Sequence, residues 1–95
     1  MDRITAAEVF VTIIDRGSMI AAAETLDMSR AMVTRYLAEM ETWAGARLLH
    51  RTTRKLSLTD AGEKTLVRCR EMLALTADMR VEADTDDATL SGLLR

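Results

Sequence analysis

The sequence predicts a mainly α-helical chain: three short helices and a small β-hairpin, followed by one long helix. Three observations carry that expectation. Apolar residues recur at helical spacing in separate windows. Proline is absent and there are only four glycines in 95 residues, which suits helices joined by little irregular loop. One stretch, Leu56-Ser57-Leu58, alternates as a half-buried strand does.

The first helix is marked by Ile4, Ala7, Phe10, Val11 and Ile14, spaced 3, 3, 1 and 3 apart. Thr5-Ala6-Ala7-Glu8 matches a capping box and Asp2 is a second possible cap. Gly17 closes the helix. Ser18 then caps a short helix from Met19 to Leu26, whose Ala21-Ala22-Ala23 run lets a neighbour approach closely. After the tight Asp27-Met28 connection, Ser29 caps a third helix over Arg30–Ala44. Val33, Leu37 and Met40 form its apolar side, and Gly45 ends it. Trp43 and Phe10 are expected in the core. Leu48–Arg51 and Leu56–Leu58 read as hairpin strands around the polar Thr52-Thr53-Arg54-Lys55. Thr59 caps a long helix reaching Ala83, with Asp60 and Glu63 favourable in its first turn. The acidic Asp84-Thr85-Asp86-Asp87 looks like a boundary, and Ala88–Arg95 like the start of a strand.

Ninety-five residues allow one modest core. One cysteine, Cys69, excludes an internal disulfide and a cysteine-rich zinc site. One histidine, His50, leaves no metal-binding pair and no Ser/His/Asp arrangement. His50 reads as a strand residue, and Cys69 on its helical seam as a small packing hydrophobe. No apolar run approaches the roughly 20 residues of a membrane span. No nucleophile and base, paired acids or phosphate loop is visible, so the reading is not an enzyme and no cofactor is expected.

Residues 18–45 have the shape of a helix-turn-helix: two helices, a very short connection, and a serine cap on the second. Such a second helix presents free N–H groups and a partial positive charge to a phosphate, and its next residues to base edges in a major groove. Here these are Ser29, Arg30, Ala31, Met32, Thr34 and Arg35. Arg30 and Arg35 have the fork that pairs with a guanine or clamps a phosphate, while Met32 and the Thr34 methyl suit a thymine methyl. An ordinary solvated helix face has a similar composition, and the spacing alone is a weak signal.

Charge distribution adds a second signal. The net charge is −2, with 13 Lys and Arg against 15 Asp and Glu, which by itself argues against a nucleic-acid partner. Yet Arg30 to Lys55 holds six bases (Arg30, Arg35, Arg47, Arg51, Arg54, Lys55) against Glu39 and Glu41, a local +4 that leaves −6 elsewhere. That stretch covers the second helix of the motif and the hairpin after it. A basic hairpin in this place is a wing, able to lay Arg54 or Lys55 along phosphates or into a minor groove.

Several ordered segments resemble the LysR-type transcriptional regulators. They are Ala21-Ala22-Ala23-Glu24-Thr25-Leu26, Ser29–Arg35, Met40-Glu41, Gly45-Ala46-Arg47-Leu48-Leu49-His50-Arg51 and Leu58-Thr59-Asp60-Ala61-Gly62. The resemblance spans Ile4 to Ala83. It implies a winged helix-turn-helix DNA-binding domain over 1–58, a linker (dimerisation) helix over 59–83, and a hinge over 84–95 toward an effector domain that binds a small molecule. It places Ser29, Arg30, Met32, Thr34 and Arg35 at DNA-contacting positions, with Arg51, Arg54 and Lys55 in or beside the wing. Leu66, Cys69, Leu73 and Thr76 then lie in a homodimer interface. The expected partner is double-stranded DNA at a partly palindromic site, in the cytoplasm, with no membrane. The sequence departs from the family's pattern after the capping serine: Arg30, Ala31 and Met32 stand where Gln, Pro and a small residue are usual. Arg30 moves the base preference from adenine toward guanine or phosphate. The alternative is a helical protein-interaction module using the long helix, which has no need of a basic wing.

Overall fold

A computed structural model describes the backbone of residues 2–50 and 56–94, and side chains through residue 79. The order is α1 (Arg3–Arg16), α2 (Met19–Leu26), α3 (Arg30–Ala44), β1 (Leu49–His50), β2 (Ser57–Leu58) and α4 (Asp60–Leu94).

Local chemistry sets these boundaries. Asp2 caps α1: its carboxylate accepts the Ile4 N–H at 3.1 Å and the Thr5 hydroxyl at 2.6 Å. Both bonds favour the ionised form and lower the Asp2 pKa. The Ser18 hydroxyl accepts from Ala21 N–H at 3.0 Å, and that of Ser29 from Met32 N–H at 3.1 Å. Gly17 and Gly45 end α1 and α3 in the left-handed region, while α2 ends there on a non-glycine, Asp27, with φ 54°.

The core draws on every element, β2 through the half-buried Leu58. Val9, Phe10 and Ile13 of α1, Ala22 and Ala23 of α2, Val33, Leu37 and Met40 of α3, Leu48 and Leu49, and Cys69 of α4 are buried together. Each large side chain sealed from water contributes roughly 1.5–3 kcal/mol. The alanines of α2 let it sit close to its neighbours, as their size predicts. Trp43 departs from expectation: it is 45% exposed. Its neighbours Thr42 and Ala44 are exposed too, so the end of α3 has passed beyond the core.

β1 and β2 pair antiparallel, Leu49 with Leu58 and His50 with Ser57. The hairpin is tied to α4 by Thr59: its N–H donates to Leu48 O at 3.0 Å and its hydroxyl to Arg47 O at 2.6 Å. The same hydroxyl accepts the Gly62 N–H at 2.9 Å and so caps the helix.

α4 runs on to Leu94, a 35-residue helix. The expected end near Ala83 and the strand from Ala88 are corrected on this point. No proline interrupts 60–94, and Gly92, the one glycine past the first turn, costs only about 1 kcal/mol in a helix. Among the described residues, no helix is long and apolar enough to cross a membrane.

Candidate nucleic-acid interface

α3 has one buried side, Val33, Leu37 and Met40, and its other side is exposed. Ser29, Arg30, Ala31, Thr34 and Arg35 are all exposed there. Met32 is half-buried and does not share that side with Thr34, because residues two apart on a helix diverge. Among the described residues, neither Arg30 nor Arg35 is paired with a carboxylate. The first turn of α3 therefore offers two free guanidinium groups beside the open N–H end of a helix, which suits phosphates and acceptor-bearing base edges.

Glu41, one of the two acids in the basic stretch, is turned to a structural task. Its carboxylate accepts the Leu48 N–H at 2.9 Å, joining α3 to the start of the hairpin. Sequence reasoning missed this role, which no local pattern signals. Glu39 and Arg47 are exposed. His50 lies exposed on β1 opposite Ser57, as a strand residue. Arg51, Arg54 and Lys55 fall outside the described residues; the paired strands bracket the segment that holds them.

The long helix requires a second correction. Cys69 is buried at 3% exposure and belongs to this chain's own core, so it is not available to a partner. Burial also pushes its thiol pKa up, which suits an inert packing role. Leu66 and Leu73 are half-buried against the same core, and the half-buried Thr76 bonds back to Leu73 O at 2.8 Å. Cys69 thus leaves the seam read as a dimer interface, while Leu66 and Leu73 pack on the chain's own head and, with Thr76, keep part of their surface open. Exposed instead are Val67 at 57%, Leu75 at 64% and Met79 at 67%. On a flank, Arg70 grips Asp15 of α1 through bonds of 2.6 and 3.3 Å. That bond lowers the Asp15 pKa and raises that of Arg70.

The family model for bacterial regulatory helix-turn-helix proteins of the lysR family matches residues 4–63. The chain belongs to the LysR family. Its arrangement of helices, hairpin and long helix is the family's winged helix-turn-helix DNA-binding domain. An HTH-type transcriptional repressor of Pseudomonas aeruginosa is 37% identical over the whole chain, which covers 30% of that protein. The HTH-type transcriptional activator AaeR of Escherichia coli is 33% identical over the whole chain, covering 31% of it. The chain thus spans about a third of the length of these LysR-type relatives. The crystal structure of CbnR, a LysR family transcriptional regulator, matches with a TM-score of 0.80 and 30% identity, over 88% of this chain and 29% of that one. The complex of the CbnR DNA-binding domain with DNA matches at 0.81 and 29%, over 90% of this chain and 98% of that one.

Proposed function

We propose that this LysR-type domain reads a specific site on double-stranded DNA as a homodimer, for transcriptional control in the bacterial cytoplasm. The observation that carries the reading is the first turn of α3, where Arg30, Thr34 and Arg35 stand exposed on a helix capped by Ser29. Arg30 and Arg35 contact base edges or phosphates, with Thr34 between them and Met32 at the margin. Arg51, Arg54 and Lys55 contact phosphates beside the wing.

Residues 1–58 form the reading head and α4 the dimerisation element, through the outward side that bears Val67, Leu75 and Met79. Two copies then place two recognition helices one helical turn of DNA apart, about 34 Å, or a multiple of it. A two-fold dimer calls for a partly palindromic site. In the full-length protein, a small-molecule effector acts through a domain outside these 95 residues. The names of the relatives support a regulatory role, and the shared fold of the CbnR complex supports the DNA partner.

Selection of bound duplexes from a random pool tests this directly. The expected product is a two-fold symmetric consensus. Its affinity should fall with salt at a log–log slope of roughly −0.9 per phosphate neutralised. No enrichment, or a flat salt response, overturns the reading. Arg35→Ala then sorts its role: a loss of about 1–3 kcal/mol confined to one base pair means base reading, and an even loss on all sequences means phosphate positioning.

A further inference from the structure

Trp43 is the only tryptophan of the chain. It forms one wall of a groove of about 280 Å³ between the end of α3 and the first turns of α4. Met40 and Ala44 of α3 and Cys69 and Met72 of α4 supply the rest of its apolar lining. The Arg3 guanidinium lies 5.0 Å from the Trp43 ring centroid and helps to fix the indole, while Arg3 itself does not line the groove. A mostly apolar concavity with few polar groups is the make-up of a ligand pocket, and this volume lies at the small end of that range. Met40 and Met72 are unbranched and adapt to a slender apolar guest.

The polar groups along the α4 edge set the charge of the guest. Lys64 is exposed, and among the described residues its ammonium has no carboxylate partner. The half-buried Thr65 beside it has no side-chain hydrogen bond among those residues either. Arg68 also borders the groove, but it is paired with Glu71 at 3.1 Å. No acid lines the groove. We propose that it binds a small amphipathic anion, a medium-chain carboxylate, with the tail against Trp43 and the two methionines and the head on Lys64 and Thr65. This site is separate from the DNA-reading turn: at 1.5 Å per residue, Trp43 stands about 20 Å along α3 from Arg30. It is also separate from Val67, Leu75 and Met79, none of which lines it. Because the groove bridges α3 and α4, an occupant ties the reading head to the long helix and stabilises the folded chain.

The test follows Trp43 emission and the melting temperature of the 95-residue chain as octanoate is added at constant ionic strength. The expected result is an emission change that saturates and a melting temperature that rises with ligand. Affinity should climb by roughly two- to fourfold per methylene from butanoate to octanoate. Octylamine, with the same tail and the opposite charge, should bind about fivefold more weakly or worse. Lys64→Glu, a change at an exposed site, should weaken octanoate by about fivefold or more. Ala44→Phe, which fills the groove from the exposed end of α3, should abolish binding. Both variants should keep the helical circular dichroism of the parent. A response that never saturates overturns the proposal, as does octylamine binding as tightly as octanoate. Octanoate binding that both variants leave unchanged lies outside the groove and overturns it as well. Each of these failures leaves the DNA reading standing, since duplex selection reports on a different surface.

Discussion

Replacing Gly62 with alanine sets two physical effects against each other. In a helix the change should help by about 1 kcal/mol, since alanine is the better helix former. At this position a Cβ would sit 2.0 Å from the Leu48 carbonyl oxygen and 3.0 Å from Leu58 Cδ2. A relaxed C···O contact is about 3.3 Å, so either Leu48 or the first turn of α4 must retreat by over an ångström. Leu48 is held on three sides: its side chain is fully buried, its N–H is bound by Glu41, and its carbonyl accepts from Thr59. Disturbing those two hydrogen bonds costs about 1 kcal/mol each, and partial loss of the leucine's burial about 1–2 more. Less the helical gain, Gly62→Ala should destabilise by roughly 2–3 kcal/mol. For a domain of this size that lowers the melting temperature by roughly 10–20 °C. Thermal denaturation followed by circular dichroism measures it. A variant that melts at or above the parent's temperature would refute the argument that hairpin and helix are in fixed contact.

The two sides of α4 should respond differently to charge. Leu73→Asp should lower the melting temperature, because Leu73 packs on the head's own core; Leu75→Asp should leave it nearly unchanged but weaken self-association in sedimentation, Leu75 being 64% exposed. Glu41→Ala should cost about 1–3 kcal/mol in denaturant unfolding, by stripping the partly buried Leu48 N–H of its acceptor. Asp15→Asn tests the pair with Arg70, in which each side chain is about half exposed. Solvent screening limits the loss at neutral pH to about 0.5–1 kcal/mol. The folded Asp15 pKa is depressed, so its contribution is present above the unfolded value and disappears as pH falls through the folded one. Parent and variant should converge below about pH 4, which unfolding across a pH series checks.

What could be read from the sequence was what neighbours in the chain decide. Ser18 and Ser29 cap within three residues of themselves, so α2 and α3 begin where expected. The alternation of Leu56-Ser57-Leu58 located β2 because strand period is also local. The side of α4 that faces home was not decided locally. Two seams run beside each other, Leu66-Cys69-Leu73-Thr76 and Met72-Leu75-Met79, and both keep steps of 3 and 4. Only the packing against α1 shows that the first is occupied. Trp43 misled through its size, since a large ring near a helix end need not reach the core. In the candidate site, the exposed Arg30 and Arg35 followed from helical spacing. The acceptor role of Glu41 links residues seven apart across a chain reversal, and the Arg70–Asp15 pair links residues 55 apart. Neither leaves a mark on sequence period.

At 1.5 Å per residue, the 35 residues of α4 make a rod of about 52 Å. Its first turns are clamped to the head by Cys69, Leu66 and Thr59, while the remainder extends along the molecule's long dimension of 59 Å. This is a lever arm fixed at one end. The 25 residues beyond Cys69 reach about 37 Å, so a tilt of 10° about the clamp swings the far end by about 6 Å. In reverse, a displacement of a few ångströms at the far end turns the head through several degrees. A force applied near residue 94 therefore re-aims α3 without touching it.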